Sequence, residues 1–255
     1  MSIFRNVVFL AALAGLAASI VMTVLQTSFT VPLILQAETF ENAEPAAHDH
    51  GAAAPAQEAA PAATPAPAAA PAPEHEEEGW APADGAERTL YTALANIVTG
   101  IGFALLLVAA SEAFGGITSL RSGLAWGFAG FAVFTLAPGL GLPPELPAMP
   151  AADLVARQVW WIGTVAATAA GLALIAFRRE SWLILLGVAL LVVPHVIGAP
   201  QPDSHESPIP PDLHHSFVVA VTVTNLLFWL ALGAAVAWLR SRFLTAPEAA
   251  RPSLA

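Results

Sequence analysis

The chain contains six apolar stretches, each of a length that can cross the hydrocarbon core of a bilayer. A core of roughly 30 Å needs about 20 helical residues at 1.5 Å per residue. In a chain of 255 residues, of which 56% are hydrophobic and only 11% charged, these stretches leave little room for another domain. The sequence therefore predicts an all-α integral membrane protein, a bundle of about six transmembrane helices. We place the spans at Ile3–Leu25, Leu90–Ala110, Gly123–Leu140, Leu154–Phe177, Trp182–Ala199 and Ser216–Leu239.

The first stretch has one feature of a secretory signal peptide, since Arg5 precedes an apolar run rich in alanine. That run continues to Val24, beyond the usual signal core of about 7–15 residues, and no clean small-x-small cleavage site follows it. We expect a retained span. In the third span, Gly123, Gly127 and Gly130 predict a close approach to another helix.

Arginine carries every fixed positive charge, because the chain has no lysine. Two arginines, Arg88 and Arg157, fall on one side of the membrane, next to span ends. The other seven share the opposite side if both termini lie together, and they are Arg5, Arg121, Arg178, Arg179, Arg240, Arg242 and Arg251. Short basic connections favour the cytoplasm. We therefore predict a multi-pass membrane protein with cytoplasmic N and C termini.

Histidines and acids collect on the side opposite those seven arginines. With this topology all seven histidines face outward, together with sixteen of the nineteen acids. Only Glu112, Glu180 and Glu248 remain on the inner side. Such a surface attracts cations. Avoidance of arginine in translocated loops explains the missing positive charge there but not the collected histidines.

The chain divides into four parts around a long outer connection. Residues 1–44 form the first span and an outer extension, and 45–79 an alanine- and proline-rich tether whose composition predicts disorder. Residues 80–245 complete the bundle with five helices, and 246–255 form a cytoplasmic tail. His48 and His50 lie in the tether and would collect metal weakly; a plain solvated stretch explains them equally well. Before the tether, "VPLILQAETFE" either prolongs the first span or lies along the interface, and a helix there would show Glu38 and Glu41 on one face.

The densest candidate metal site is the connection "PHVIGAPQPDSHESPIPPDLHH" between spans five and six. It supplies His195, His205, His214 and His215 with three acids, and prolines limit the entropy lost when ligands converge. Imidazole with carboxylate suits Co²⁺, Ni²⁺ and Zn²⁺. The spacing matches no standard metal motif. His195 follows Pro194 at a span end, where an ionisable group is a functional hypothesis by default, and an interfacial histidine bonded to a carbonyl or water is the alternative.

Polar residues inside the spans are few. His214 and Asn225 are eleven residues apart and so lie on nearly one helix face. With Thr222 they would form a polar track leading inward, and Asn96 lies in the outer half of span two. Interhelical hydrogen bonding is the other explanation for these side chains, and the one we favour.

Several functional classes are excluded or disfavoured. The absence of cysteine removes disulfides, thiolate metal sites and cysteine nucleophiles. Without lysine there is no phosphate-binding "GxxxxGK[ST]" loop, and "HExxH" is absent. We find no nucleophile–base constellation and predict that the protein is not an enzyme. An acidic membrane protein is not expected to bind nucleic acid.

Several long stretches of the sequence are distinctive, and they are "EGWAPADGAERTLYTALANIVTGIGFALLLVAA", "GLAWGFAGFAVFTLAPGLGLPPELP", "ARQVWWIGTVAATAAGLALIAF" and "VPHVIGAPQP", together with the Glu38 segment. These stretches resemble the CbtA family, the probable cobalt-transporter subunits of bacteria. The resemblance implies an inner-membrane protein linked to cobalt uptake for cobalamin synthesis, often paired with a small one-span companion, CbtB. It adds Gln201, in "PHVIGAPQP", to His195 as a candidate metal residue.

These observations lead to one main hypothesis. The protein would be an inner-membrane subunit for uptake of cobalt, with Ni²⁺ or Zn²⁺ as alternatives, that captures the ion on an outer face rich in histidine and acid. His195, Gln201, His205, His214 and His215 would form the capture site, with Glu38, Glu41 and the tether histidines as accessories. The metal would be transported or bound, with no permanent cofactor, and the partners would be the lipid bilayer and CbtB. The alternative is a membrane-anchored metal buffer or assembly partner that does not itself translocate ions.

Overall fold

The structure, a computed structural model, describes residues 2–41 and 82–243. Six helices account for most of this part of the chain, and it contains no strand. Helix α1 joins Ser2–Leu25, a π-helical turn at Gln26–Thr30 and Val31–Glu41; α2 is Ala86–Glu112; α3 joins Leu120–Phe131, a π-helical turn at Ala132–Leu136 and Ala137–Gly139; α4 is Leu154–Phe177; α5 is Ser181–Ile197; α6 is Pro211–Phe243.

The predicted class is confirmed: the described chain is helical and has the helices of a multi-pass membrane protein. Each predicted span coincides with one helix. Five of the six are long and apolar enough to cross a membrane, whereas α5 is a shorter apolar helix of 17 residues. Pro194 sits in the last turn of α5, and Gly198, at φ 86°, ends the helix there.

Helix α1 continues past the predicted span to Glu41, so "VPLILQAETFE" prolongs it. The π-helical turn lies where polar residues interrupt the apolar run. Hydroxyls donate to carbonyls four residues back, from Thr27 to Thr23 at 2.9 Å and from Thr30 to Gln26 at 3.1 Å. Such bonds compete with the backbone hydrogen bonds of the α-helix, which here span five residues instead of four. A similar turn in α3 precedes Pro138, which has no N–H to donate.

The main core lies between α1, α2, α3 and α6, around Leu10, Val108, Phe131 and Leu232. Glycine allows these helices to approach closely. A Cβ at Gly123 or Gly127 would collide with the backbone of α6, and one at Gly15 would lie 2.6 Å from the Cα of Ile101. The predicted packing role of the α3 glycines is therefore confirmed.

Helices α4 and α5 form a hairpin at the side of this core. Gly171 and Gly187 face each other, and a Cβ on either would lie 2.7–2.8 Å from the other's carbonyl oxygen. The hairpin meets α3 mainly near the second π-helical turn, where Phe134 approaches Trp161 at 6.3 Å between ring centroids.

Successive helices run in opposite directions, which divides the loops between two ends. We call the end with the α5–α6 connection the histidine end, because His195, His205, His214 and His215 lie there, and the other the arginine end. At the histidine end a second apolar cluster joins α1 to the start of α6 through Ala37, Leu146, Ile209, Leu213 and Phe217. This cluster holds the loops that carry the candidate metal residues.

Candidate metal path from the histidine end

The connection between α5 and α6 presents its polar side chains to the surface. His205 and Gln201 are both exposed. The Gln201 amide donates only to the Ala199 carbonyl, at 3.2 Å, so its own carbonyl oxygen is available. No hydrogen bond or ion pair to His205 occurs within residues 2–41 and 82–243.

His195 is half-buried against the indole of Trp160. The two rings meet edge to face at 6.0 Å between centroids, and Trp160 Nε1 donates to the Pro194 carbonyl at 3.2 Å. The carbonyl of Pro194 is thus occupied, while the imidazole nitrogens of His195 have no hydrogen-bond partner in the described chain. Its ring is held in place by packing, and its nitrogens remain free.

His214 is half-buried in the first turns of α6, and His215 beside it is exposed. His214 Nε2 lies 3.2 Å from the carbonyl oxygen of Pro144. Because a carbonyl can only accept, this contact places the hydrogen on Nε2. In the neutral ring Nδ1 then carries the lone pair, the arrangement in which a carbonyl orients an imidazole for a metal.

The acids of the first helix behave differently from each other. Glu38 accepts two hydrogen bonds from Arg88, which also donates to Asp84 at 3.0 Å, so this carboxylate holds α1 to α2. Glu41 is exposed. The other arginine of the histidine end is paired too, since Arg157 lies 3.0 Å from Glu145. Both positive charges of the histidine end are therefore neutralised locally.

The structure does not bring the candidate residues into one cluster. In the parts of the chain that it describes, no three histidine, aspartate or glutamate side chains are grouped closely enough to hold a metal ion. His48 and His50 lie outside the described residues. His195, Gln201, His205, His214, His215, Glu38 and Glu41 share one end of the molecule at separate positions.

Beneath that end, a cavity of about 110 Å³ lies between α1 and α6. The π-helical turn contributes Gln26 and Thr30, and α6 contributes Thr224 and Asn225. Apolar side chains complete its wall, and they are Met22, Ile34, Phe217 and Val221. Counted along α6, Asn225 lies about 16 Å below His214. The cavity thus occupies the half of the bundle nearer the histidine end.

Polar groups in this cavity are incompletely hydrogen-bonded. Asn96 of α2 donates to the oxygens of Thr23, at 3.0 Å, and Gln26, at 2.7 Å. Asn225 donates to the Val221 carbonyl at 2.9 Å, which leaves its Oδ1 without a donor in the described chain. Thr224 is only 3% exposed, and its hydroxyl has no partner there either.

Among the described residues only Thr168 Oγ1 is both fully buried and unpaired, so the oxygens of Thr224 and Asn225 are accessible from the cavity, where water or an ion can satisfy them. A cavity of this size and polarity accommodates several waters. Water or a partly hydrated cation therefore satisfies these groups better than an empty space does. The interhelical-bonding interpretation holds for Asn96, whereas Asn225 bonds only within its own helix.

Toward the arginine end the contact between α1 and α6 becomes apolar. Leu10, Ala14, Leu232 and Val236 are all buried there. Within the described residues the polar cavity therefore stops near mid-membrane.

Sequence reasoning identified His214 and Asn225 on one face of α6 but missed Gln26, Thr30 and Thr224. The available signal was the run "QTSFT" within an otherwise apolar helix. Its hydroxyls bond back to the helix carbonyls, and Gln26 and Thr30 of this run border the cavity.

One comparison with known proteins gives a match. Residues 4–241 match the sequence model of a family described as probable cobalt transporter subunit (CbtA). No curated protein and no solved structure matches the chain.

Proposed function

The chain belongs to the CbtA family of probable cobalt transporter subunits, and we propose that it takes up Co²⁺, or a related divalent transition metal such as Ni²⁺ or Zn²⁺, from the histidine end. The observation that carries this proposal is the polar cavity between α1 and α6. Its unpaired oxygens lie below a surface rich in histidine and acid, which is the arrangement expected where a cation leaves water and enters a bundle.

Capture begins at the surface, where His205, His215, Gln201 and Glu41 are exposed. These groups have the ligand chemistry that borderline metals prefer. The tether residues His48 and His50 would add to the local supply of metal. Glu38 contributes less as a ligand than as the partner of Arg88, because a carboxylate held by two guanidinium hydrogen bonds must break them to bind metal.

Two histidines are better prepared than the others to hold an ion. His214 offers Nδ1 while its Nε2 is anchored on Pro144, and His195 offers unpaired nitrogens on a ring fixed against Trp160. Ligands already held in place lose little conformational freedom on binding. We assign these two the main role in capture.

From the surface the metal passes inward along α6. Thr224 and Asn225 supply oxygen atoms, and the small volume requires that the ion shed part of its water. The histidine end faces the periplasm and both termini lie in the cytoplasm, an orientation that follows from the seven arginines of the opposite side.

The role of His195 is tested with two substitutions. His195→Ala removes the nitrogens and the ring, whereas His195→Phe removes only the nitrogens and keeps a ring against Trp160. We expect both to reduce uptake of radiolabelled cobalt by cells, and by similar factors. Uptake at the wild-type rate in His195→Phe would show that the ring serves packing alone.

A second candidate is a membrane-anchored metal buffer or assembly partner that does not translocate ions. The apolar contact below Asn225 favours it, because the cavity does not continue to the arginine end. The small companion CbtB is a candidate partner in either case. Sealed vesicles separate the two functions: a transporter fills them with metal that an external chelator cannot remove, whereas a buffer holds only metal that the chelator removes.

A further inference from the structure

A large apolar cleft of about 570 Å³ opens between α2, α3 and α4 and shares no lining residue with the polar cavity. Small side chains create it, with Ala125 and Ala129 on α3 facing Ala169 and Ala173 on α4. Among the residues that the structure describes, Ser122 is its only lining residue with a hydroxyl. A metal ion or a polar solute has nothing to bind in such a cleft.

The cleft is confined to the half of the bundle nearer the arginine end. At the end of the cleft inside the bundle, the rings of Phe134 and Trp229 stack at 5.5 Å between centroids. At the mouth of the cleft, the rings of Phe114 and Phe177 stack at 4.0 Å. Along α4 it runs from Val165 to Phe177, about 18 Å at 1.5 Å per residue. That length matches one leaflet, roughly 15 Å of hydrocarbon. A transmembrane helix occupies both leaflets, whereas an acyl chain occupies one.

Unpaired positive charge surrounds the mouth of the cleft. Arg178 follows the lining residue Phe177, Arg179 comes next, and Arg121 precedes the lining residue Ser122. All three are exposed, and their guanidinium groups pair with no carboxylate among residues 2–41 and 82–243. By contrast, Arg88, Arg157 and Arg240 each form an ion pair.

From the one-leaflet length and the unpaired arginines, we infer that this cleft binds an anionic phospholipid. One acyl chain lies between α3 and α4, and the phosphate lies against Arg121, Arg178 and Arg179. The lipid fills space between the α4–α5 hairpin and the core, so it joins two parts of the bundle that otherwise meet near Phe134 and at the stack of Phe114 on Phe177. This binding is independent of the proposed metal path.

The inference is tested on the purified full chain by counting retained lipids in native mass spectrometry. The probes are phosphatidylglycerol and phosphatidylcholine with identical acyl chains. Each basic side chain near an anionic lipid raises binding roughly fivefold, so three predict a preference for phosphatidylglycerol on the order of 100-fold. Equal retention of the two lipids would overturn the inference.

Two changes separate the acyl chain from the headgroup. Ala173→Phe fills the cleft and should abolish retention of the lipid. Arg178→Gln combined with Arg179→Gln should remove most of the preference for phosphatidylglycerol. Arg5→Gln, a change of an exposed arginine on α1 away from the cleft, is the matched control and should leave the preference unchanged.

Retention that survives Ala173→Phe, or that falls as far in Arg5→Gln as in the double variant, would contradict a site in this cleft. If Ala173→Phe removes a co-purifying protein chain rather than a lipid, the choice of a phospholipid as the occupant would be contradicted. If Ala173→Phe does not fold, Ala169→Val fills less of the same space and should weaken retention in the same direction.

Discussion

Replacement of Thr224 by valine isolates the cavity from the rest of the bundle. Valine has nearly the same shape as threonine and removes only the hydroxyl. Thr224 is 3% exposed and borders the cavity, and its hydroxyl has no hydrogen-bond partner in the described chain. The matched control is Thr222→Val on the same helix, where the hydroxyl donates to the Val218 carbonyl at 2.7 Å and does not border the cavity.

The two variants should differ in uptake but not much in stability. A hydrogen bond or ligand contact to a charged species is worth about 1.5–3 kcal/mol. At about 1.4 kcal/mol per factor of ten, its loss in Thr224→Val lowers cobalt uptake roughly 10- to 100-fold. Thr222→Val loses one bond within its own helix, which costs about 0.5–1 kcal/mol of stability and leaves uptake within about twofold of wild type.

The assay is initial-rate uptake of radiolabelled cobalt in cells that express each variant at equal level, with thermal unfolding of the purified proteins alongside. Thr224→Val should unfold within about 1 kcal/mol of wild type, because no bond is lost. Equal uptake by wild type and Thr224→Val would refute the role of the cavity. A loss of uptake shared equally by Thr222→Val would show that the effect is structural.

Three further predictions concern the Glu38–Arg88 ion pair, the contact between α4 and α5, and the orientation of the two ends of the bundle. Glu38→Gln should lower the free energy of unfolding by about 0.5–1 kcal/mol, since it breaks a partly exposed ion pair with Arg88, whereas Glu41→Gln at an exposed position should leave it unchanged. A large loss of uptake in Glu38→Gln at unchanged stability would instead make Glu38 a metal ligand. Gly171→Ala should destabilise the α4–α5 hairpin by about 1–3 kcal/mol in thermal unfolding, because the added Cβ would collide with the carbonyl of Gly187. Gly163→Ala is the control, where an added Cβ meets nothing within 4 Å, and it should be neutral or stabilising. Equal effects of the two substitutions would contradict the close helix contact. Because the chain has no cysteine, Ser204→Cys at the histidine end and Ser119→Cys at the arginine end each introduce a single thiol. An impermeant thiol reagent added to intact cells should label only Ser204→Cys. Labelling of Ser119→Cys alone would reverse the proposed orientation.

Much of the fold was predictable because the bilayer imposes helix lengths on apolar segments. All six predicted spans coincide with helices, and the glycines of α3 pack as their spacing indicates. The ends were less predictable. Helix α1 continues to Glu41 because residues 31–41 pack against α6 and the loop around Leu146, a contact that depends on the tertiary structure.

The candidate site was predictable only in part. Residue type and topology predict which groups lie at the histidine end, but not which of them have already found partners. Glu38 pairs with Arg88 fifty residues away, and His214 bonds Pro144 seventy residues away. Neither contact has a local signal in the sequence. The cavity likewise requires that Gln26 and Thr224, which lie far apart in the sequence, face each other across the same space.

The most direct test of a metal path through the α1–α6 cavity uses sealed vesicles that contain the protein with its histidine end outward. Cobalt is added outside, and the amount that resists an external chelator is measured over time. Wild type should accumulate chelator-resistant cobalt, while Thr224→Val combined with Asn225→Leu should retain only cobalt that the chelator removes. Accumulation at the wild-type rate in the double variant would contradict passage through this cavity, and its absence in wild type would contradict translocation by this chain.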